Sequence, residues 1–146
     1  MAELGSESIN LTGDGAKIEL RITYPLRPTL DEAGMIWLES QCSFAAGPMN
    51  GRFRLSLTQH DLQSFKRALE RLIKGSVGVE ATLKTIEEDI VLRCSVTKRG
   101  PTKVTGCINP RDASNVVCTF VFEAAPSDLE AALLGVTIAL HRIMQQ

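Results

Sequence analysis

Two histidines and four cysteines are the side chains in this 146-residue sequence best suited to proton transfer or nucleophilic attack. His60 is expected in the first turn of one helix and His141 in the last turns of another, where a cation complements the helix dipole. Neither has a Ser, Cys or carboxylate at a recognisable motif spacing, so both read as ordinary surface residues and no catalytic residue is assigned. Cys42 shares its strand parity with Leu38 and Phe44, Cys94 with Leu92 and Val96, and Cys118 with Phe120 and Phe122. These three thiols read as small core hydrophobes. Cys107 falls on the parity opposite Val104, Gly106 and Ile108 and is expected to be more accessible, with no histidine or helix start nearby to lower its pKa.

Cofactor and metal chemistry gain no support from spacing. No Cys-x-x-Cys pair is present, which argues against a zinc site or a thioredoxin-type motif. Gly75-Ser76-Val77-Gly78 lacks the Lys-Ser or Lys-Thr ending of a phosphate loop and follows a helix instead of opening one. Glu87-Glu88-Asp89 reads as a solvated turn, since three adjacent carboxylates cannot all point at one ion. Lys98, Arg99, Lys103 and Arg111 bracket a turn with no interleaved aromatics, and the formal net charge is −1. Nucleic acid is therefore not an expected partner.

One constellation fits a protein partner better. Trp37 lies on the polar parity of its strand, Arg52 and Arg54 on the outward parity of the next, and Arg93 on the polar parity of a later one. Placed on one sheet face, these four residues form a candidate partner-binding surface, because Trp and Arg cover large areas and Arg makes several directed hydrogen bonds. The competing reading packs Trp37 beneath the Pro25 to Leu30 segment and leaves the arginines solvated.

The elements that must carry these residues follow from periodicity. Ser8 to Thr12 and Ala16 to Thr23 alternate as strands around Gly13-Asp14-Gly15. Pro25, Pro28 and Asp31-Glu32 make Tyr24 to Ala33 a surface loop. From Gly34 to Ala46, Ile36, Leu38, Cys42 and Phe44 fall on one parity, and after Gly47 to Gly51 the segment Arg52 to Leu57 turns Phe53, Leu55 and Leu57 inward. Thr58 stands three residues before Asp61, a capping-box variant, and Leu62, Phe65, Leu69, Leu72 and Ile73 follow at helical spacing to about Lys74, with Gly75 placed to end the helix. Four further strands are expected over Val77 to Lys84, Asp89 to Lys98, Lys103 to Ile108 and Ser114 to Glu123. Ser127 and Glu130 then have capping-box spacing ahead of an apolar helix reaching about Met144.

Strands, helix, strands, helix without strict alternation describe an α+β fold: a mainly antiparallel sheet of about eight strands with two helices. Asp61-Leu62 and Asp128-Leu129 each open a helix directly after an alternating strand, so a duplicated strand-strand-helix unit is one reading and a coincidence of common capping physics is the other. With 44% hydrophobic and 23% charged residues the chain is expected to fold as one domain over 1–146. Met1 to Ser8 is acidic and polar, unlike an export signal. Ala131 to Leu140 is about half the roughly 20 apolar residues of a membrane span. A cytoplasmic protein without membrane contact is the expectation.

Leu55-Ser56-Leu57, then Thr58-x-x-Asp61-Leu62-x-x-Phe65-x-x-x-Leu69, then further strands with Phe120-Val121-Phe122 and the late Asp128-Leu129 helix, resemble the WapI-type immunity proteins. The resemblance spans most of the chain. It implies a small bacterial cytoplasmic protein that catalyses nothing and neutralises the C-terminal toxin domain of a contact-dependent polymorphic toxin by docking on it. It supplies scaffold residues and no contacts, so the surface of Trp37, Arg52, Arg54 and Arg93 rests on strand parity alone. Two other classes stay open: a small-molecule binder or simple enzyme with a pocket between sheet and helices, and a homo-oligomer pairing through a sheet face or edge.

Overall fold

A computed structural model describes residues 5–24, 29–30, 36–75, 78–96, 101–110 and 116–144. The strands are β1 (Gly5–Gly13), β2 (Ala16–Tyr24), β3 (Thr29–Leu30), β4 (Ile36–Ala46), β5 (Met49–Thr58), β6 (Glu80–Lys84), β7 (Ile90–Val96), β8 (Thr102–Ile108) and β9 (Cys118–Ala124). The helices are α1 (Gln59–Ile73), which leaves β5 directly, and α2 (Pro126–Met144), which follows β9. Two antiparallel sheets result, one ordered β1-β2-β4-β5 and the other β6-β7-β8-β9. The α+β, antiparallel expectation holds, with eight long strands divided between two sheets.

β3 is the element the sequence reading missed. Thr29 and Leu30 pair with Trp37 and Ile36, on the stretch of β4 beyond Ser40, where the ladder to β2 ends. Those backbone groups of β4 still need partners, and two residues after Pro28 suffice to supply them. The remainder of the expected loop, 25–28 and 31–33, lies outside the described residues, as do Lys98, Arg99 and Arg111 of the basic turn.

Five strands precede α1 and four precede α2; with the two-residue β3 set aside, each half runs as four antiparallel strands followed by a helix. The helix starts match closely. The Thr58 amide donates to Asp61 Oδ2 at 2.9 Å and the Asp61 amide to Thr58 Oγ1 at 3.0 Å, the reciprocal box expected. At α2 the Ala125 amide donates to Asp128 Oδ2 at 2.8 Å, and the amides of Asp128 and Leu129 donate to the Ala125 carbonyl. The α2 box is therefore anchored at Ala125 and Asp128, two residues earlier than the Ser127 and Glu130 spacing suggested. Pro126 takes the first helical position, where its missing N–H costs nothing. Gly75 ends α1 as expected, with φ +81° and its amide bonded to the Leu72 carbonyl at 3.0 Å.

The helices exchange partners between halves. α1 packs on β6, the first strand of the second half, α2 packs on β1, the first strand of the first half, and the helices touch each other. Leu62, Phe65 and Leu69 of α1 and Leu129, Ala132 and Val136 of α2 meet the inward residues of both sheets in one buried cluster. The sheets also join directly. The Asp14 amide donates to the Glu123 carbonyl at 3.0 Å, and the Phe44 and Phe120 rings stack with centroids 6.3 Å apart.

Candidate functional site

The face of the first sheet turned away from this core carries three of the four candidate residues. Phe53, Leu55 and Leu57 are buried, so the two-residue period of β5 leaves Arg52 and Arg54 exposed. In register across the ladder, Arg52 faces Ser43, Arg54 faces Gln41 and Trp37 faces Thr58. β2 extends the face: Glu19 stands opposite Ser43 and Arg21 opposite Gln41, with Lys17 opposite Ala45. Lys17 and Arg21 are additional cations that the notion of a β4 and β5 patch overlooked. The signal was available, because Ile18, Leu20 and Ile22 set the inward parity of β2 and leave the odd positions outward.

The electrostatics of the face are uneven. Arg21 is engaged with Glu19 at 3.2 Å. Among the described residues, neither Arg52 nor Arg54 has a salt bridge or side-chain hydrogen bond. Their guanidinium groups, about 7 Å apart at the backbone along β5, remain free to meet a carboxylate. Trp37 is half-buried and lies four residues from Gln41, about 13 Å along the strand from the Arg54 row. Its ladder partner on one side is Thr29 of β3, within the segment that the competing sequence reading placed over it.

Arg93 does not join them. It is exposed on β7 of the other sheet, between Thr82 and Thr105. Strand parity fixes which face of its own sheet a residue occupies, and it carries no information about which sheet the strand enters.

The groups considered for chemistry are scattered. His60 is exposed on α1, with Ser64 Oγ 3.4 Å from its Nε2 one turn along the same helix, and His141 is exposed near the end of α2. Burial pushes the Cys42 thiol up to about 12, with the Glu19 charge adding to it, and burial together with Glu80 does the same to Cys94. Cys118 is buried as well, and Cys107, of the opposite parity, is partly accessible. No group of three or more metal-ligating side chains converges among the described residues. A shallow depression of about 170 Å³ lies on the outward face beside Lys17, Glu19, Ser43 and Ala45. That is below the roughly 300–1,000 Å³ of ordinary ligand pockets. Among the described residues, no helix is long and apolar enough to cross a membrane.

The model of the immunity protein WapI-like family matches residues 9–143, from β1 to the last turn of α2 and so across both sheets and both helices. The chain belongs to the WapI-like immunity protein family. No curated protein matches it. For a WapI-like immunity protein the arrangement is coherent, because the outward face of the first sheet is polar while α1 and one side of α2 build the core.

Proposed function

We propose that this WapI-like protein is a non-catalytic immunity protein of the bacterial cytoplasm that neutralises a toxin domain by binding it directly, without a cofactor. The docking surface is the outward face of β4 and β5, centred on Arg52 and Arg54 with Trp37 at its end. The observation that carries this reading is the pair of uncompensated, exposed arginines held on a stiff ladder whose opposite side is buried. Arginines form directed, bidentate bonds to carboxylates, and the buried side of the ladder fixes the backbone that carries them. Lys17 and Arg21 widen the positive side of the surface toward β2. Arg93, on the other sheet, lies outside this patch and serves as the comparison.

The test is crosslinked affinity capture from the native host under conditions in which the toxin is expressed, read by quantitative mass spectrometry for three baits. Wild-type protein and the Arg93→Glu variant should retain the same toxin-bearing protein, and the Arg52→Glu/Arg54→Glu variant should lose it. Equal recovery by all three baits places the contact elsewhere on the molecule.

A further inference from the structure

β5 ends the first sheet. It pairs with β4 on one side along its whole length of 10 residues and, among the described residues, with no strand on the other. No proline or bulge interrupts it, although edge strands are commonly short, kinked or covered. The two-residue turn Gly47-Pro48 makes Ala46 and Met49 a hydrogen-bonded pair, and the alternation of an antiparallel ladder then fixes the rest. Gly51, Phe53 and Leu55 exchange both backbone bonds with Phe44, Cys42 and Ser40, so the N–H and C=O groups of Arg52, Arg54 and Ser56 point to the open edge. Among the described residues nothing takes those groups. The other edges are engaged or short: β1 and β9 meet through the Asp14 amide and the Glu123 carbonyl, and β6, of 5 residues, lies against α1. Arg52 and Arg54 thus turn unpaired backbone groups to the edge and hold unpaired guanidinium groups on the outward face beside it.

From this coincidence we infer that the toxin domain engages β5 by strand addition: an extended acidic segment joins the open edge as a further antiparallel strand, with carboxylates at alternate positions opposite Arg52 and Arg54. The inference rests on the docking face proposed above and specifies what occupies it. Residues directly opposite each other in a ladder project from the same face. A strand that satisfies the edge groups of Arg52 and Arg54 therefore brings its own outward side chains within reach of both guanidinium groups, and each can hold a carboxylate through two parallel bonds. The intervening side chains fall on the side of the buried Phe53 and Leu55, where apolar residues fit. Backbone bonds supply the affinity, and the alternate side chains choose the partner. The same charges act against a second copy of this chain. Two β5 edges paired antiparallel about Phe53 would set Arg52 of one copy against Arg54 of the second, and like charges directly opposite destabilise a ladder.

The probe is an end-blocked peptide of alternating Asp and Val, titrated into the isotope-labelled full chain and followed by amide NMR and hydrogen exchange. In the free protein the amides of Arg52, Arg54 and Ser56 should exchange fast and those of Gly51, Phe53 and Leu55 slowly. With the peptide bound, the three edge amides should slow by about tenfold or more, and Arg52→Glu/Arg54→Glu should weaken binding by about tenfold or more. A peptide with Lys in place of Asp should bind that variant instead. N-methylation of the Asp amides, which face β5, should abolish binding, and N-methylation of the Val amides, which face away, should preserve it. Added before crosslinking, the unmethylated acidic peptide should lower recovery of the toxin-bearing protein by the wild-type bait. No binding at about 1 mM peptide overturns the inference. So do equal binding by the two methylated peptides, edge amides that stay fast in the complex, and undiminished toxin recovery. Edge amides already slow in the free chain at high concentration would show a second copy on the edge and overturn it as well. None of these results removes the docking face itself, which the capture by Arg52→Glu/Arg54→Glu decides separately.

Discussion

The ring of Phe44 on β4 stacks on the ring of Phe120 on β9, with centroids 6.3 Å apart and planes 8° from parallel. Each ring also lies over a glycine directly opposite it in its own sheet: Phe44 over Gly51 and Phe120 over Gly106. A Cβ on Gly51 would stand 2.7 Å from Phe44 and one on Gly106 would stand 2.4 Å from Phe120. The glycines open the space into which the rings fold, and the rings tie one sheet to the other. Phe44→Ala and Phe120→Ala should each cost about 2 kcal/mol in urea unfolding, less than a fully buried ring because both are partly exposed. The double variant should reveal a coupling of about 0.5–1.5 kcal/mol. Full additivity would mean that the stack contributes nothing beyond burial.

Gly13 marks the second tie between the sheets. A Cβ there would lie 2.3 Å from the Glu123 carbonyl oxygen and 2.3 Å from a carbon of the Phe122 ring, and the backbone oxygen cannot swing away. Gly13→Ala should destabilise by about 1–3 kcal/mol through the displacement it forces on β9. The control is Lys17→Arg, at an exposed position just past the same turn, which should leave the urea midpoint unchanged.

The two helix starts differ in one atom that matters. Thr58 supplies a side-chain hydroxyl to the Asp61 amide, whereas the corresponding Asp128 amide is held by the backbone carbonyl of Ala125 at 2.9 Å. Thr58→Ala should lower stability by about 1 kcal/mol, and Ala125→Ser, whose hydroxyl would compete for an amide already satisfied, should change it by less than about 0.5 kcal/mol. Thermal unfolding of both variants checks the pair, and a gain of about 1 kcal/mol from Ala125→Ser would show that the carbonyl of Ala125 does not satisfy the Asp128 amide.

Much of this scaffold was legible in local pattern. Ile18, Leu20 and Ile22, or Phe53, Leu55 and Leu57, announce a strand and its buried face, and Thr58 with Asp61 announces the helix after it. What local pattern could not supply was long-range pairing. Nothing around Arg93 says that the chain, having passed through α1, starts a second sheet on β6, and the shared face expected for Arg93 and Arg54 failed for that reason. Two residues of β3 form a strand only because β4 outruns β2. At α2, Ser127 with Glu130 imitates a box that Ala125 with Asp128 forms, because Pro126 is already at a helical position.

Cys42 and Cys94, both pushed up to about 12, make stability fall in alkali. Each folded-state pKa lies above the ordinary value of 9.0, so the unfolded chain loses the proton first. The contribution of the neutral buried thiols is whole below about pH 9 and is lost as pH rises toward 12, at about 1 kcal/mol per pH unit for each. Replacing both by Ala or Val should flatten the decline in urea-derived stability over that window. At neutral pH a thiol reagent should modify Cys107 first and reach the buried thiols only on unfolding.

The most direct test of the docking face is a binding titration of the captured toxin domain against wild-type protein and single variants of the exposed arginines. Arg52→Ala and Arg54→Ala should each weaken binding by about 2 kcal/mol or more, the scale of residues that dominate an interface, while Arg93→Ala stays within about 0.5 kcal/mol. Unchanged affinity for both β5 variants, or a loss confined to Arg93→Ala, would contradict a docking surface built on β4 and β5.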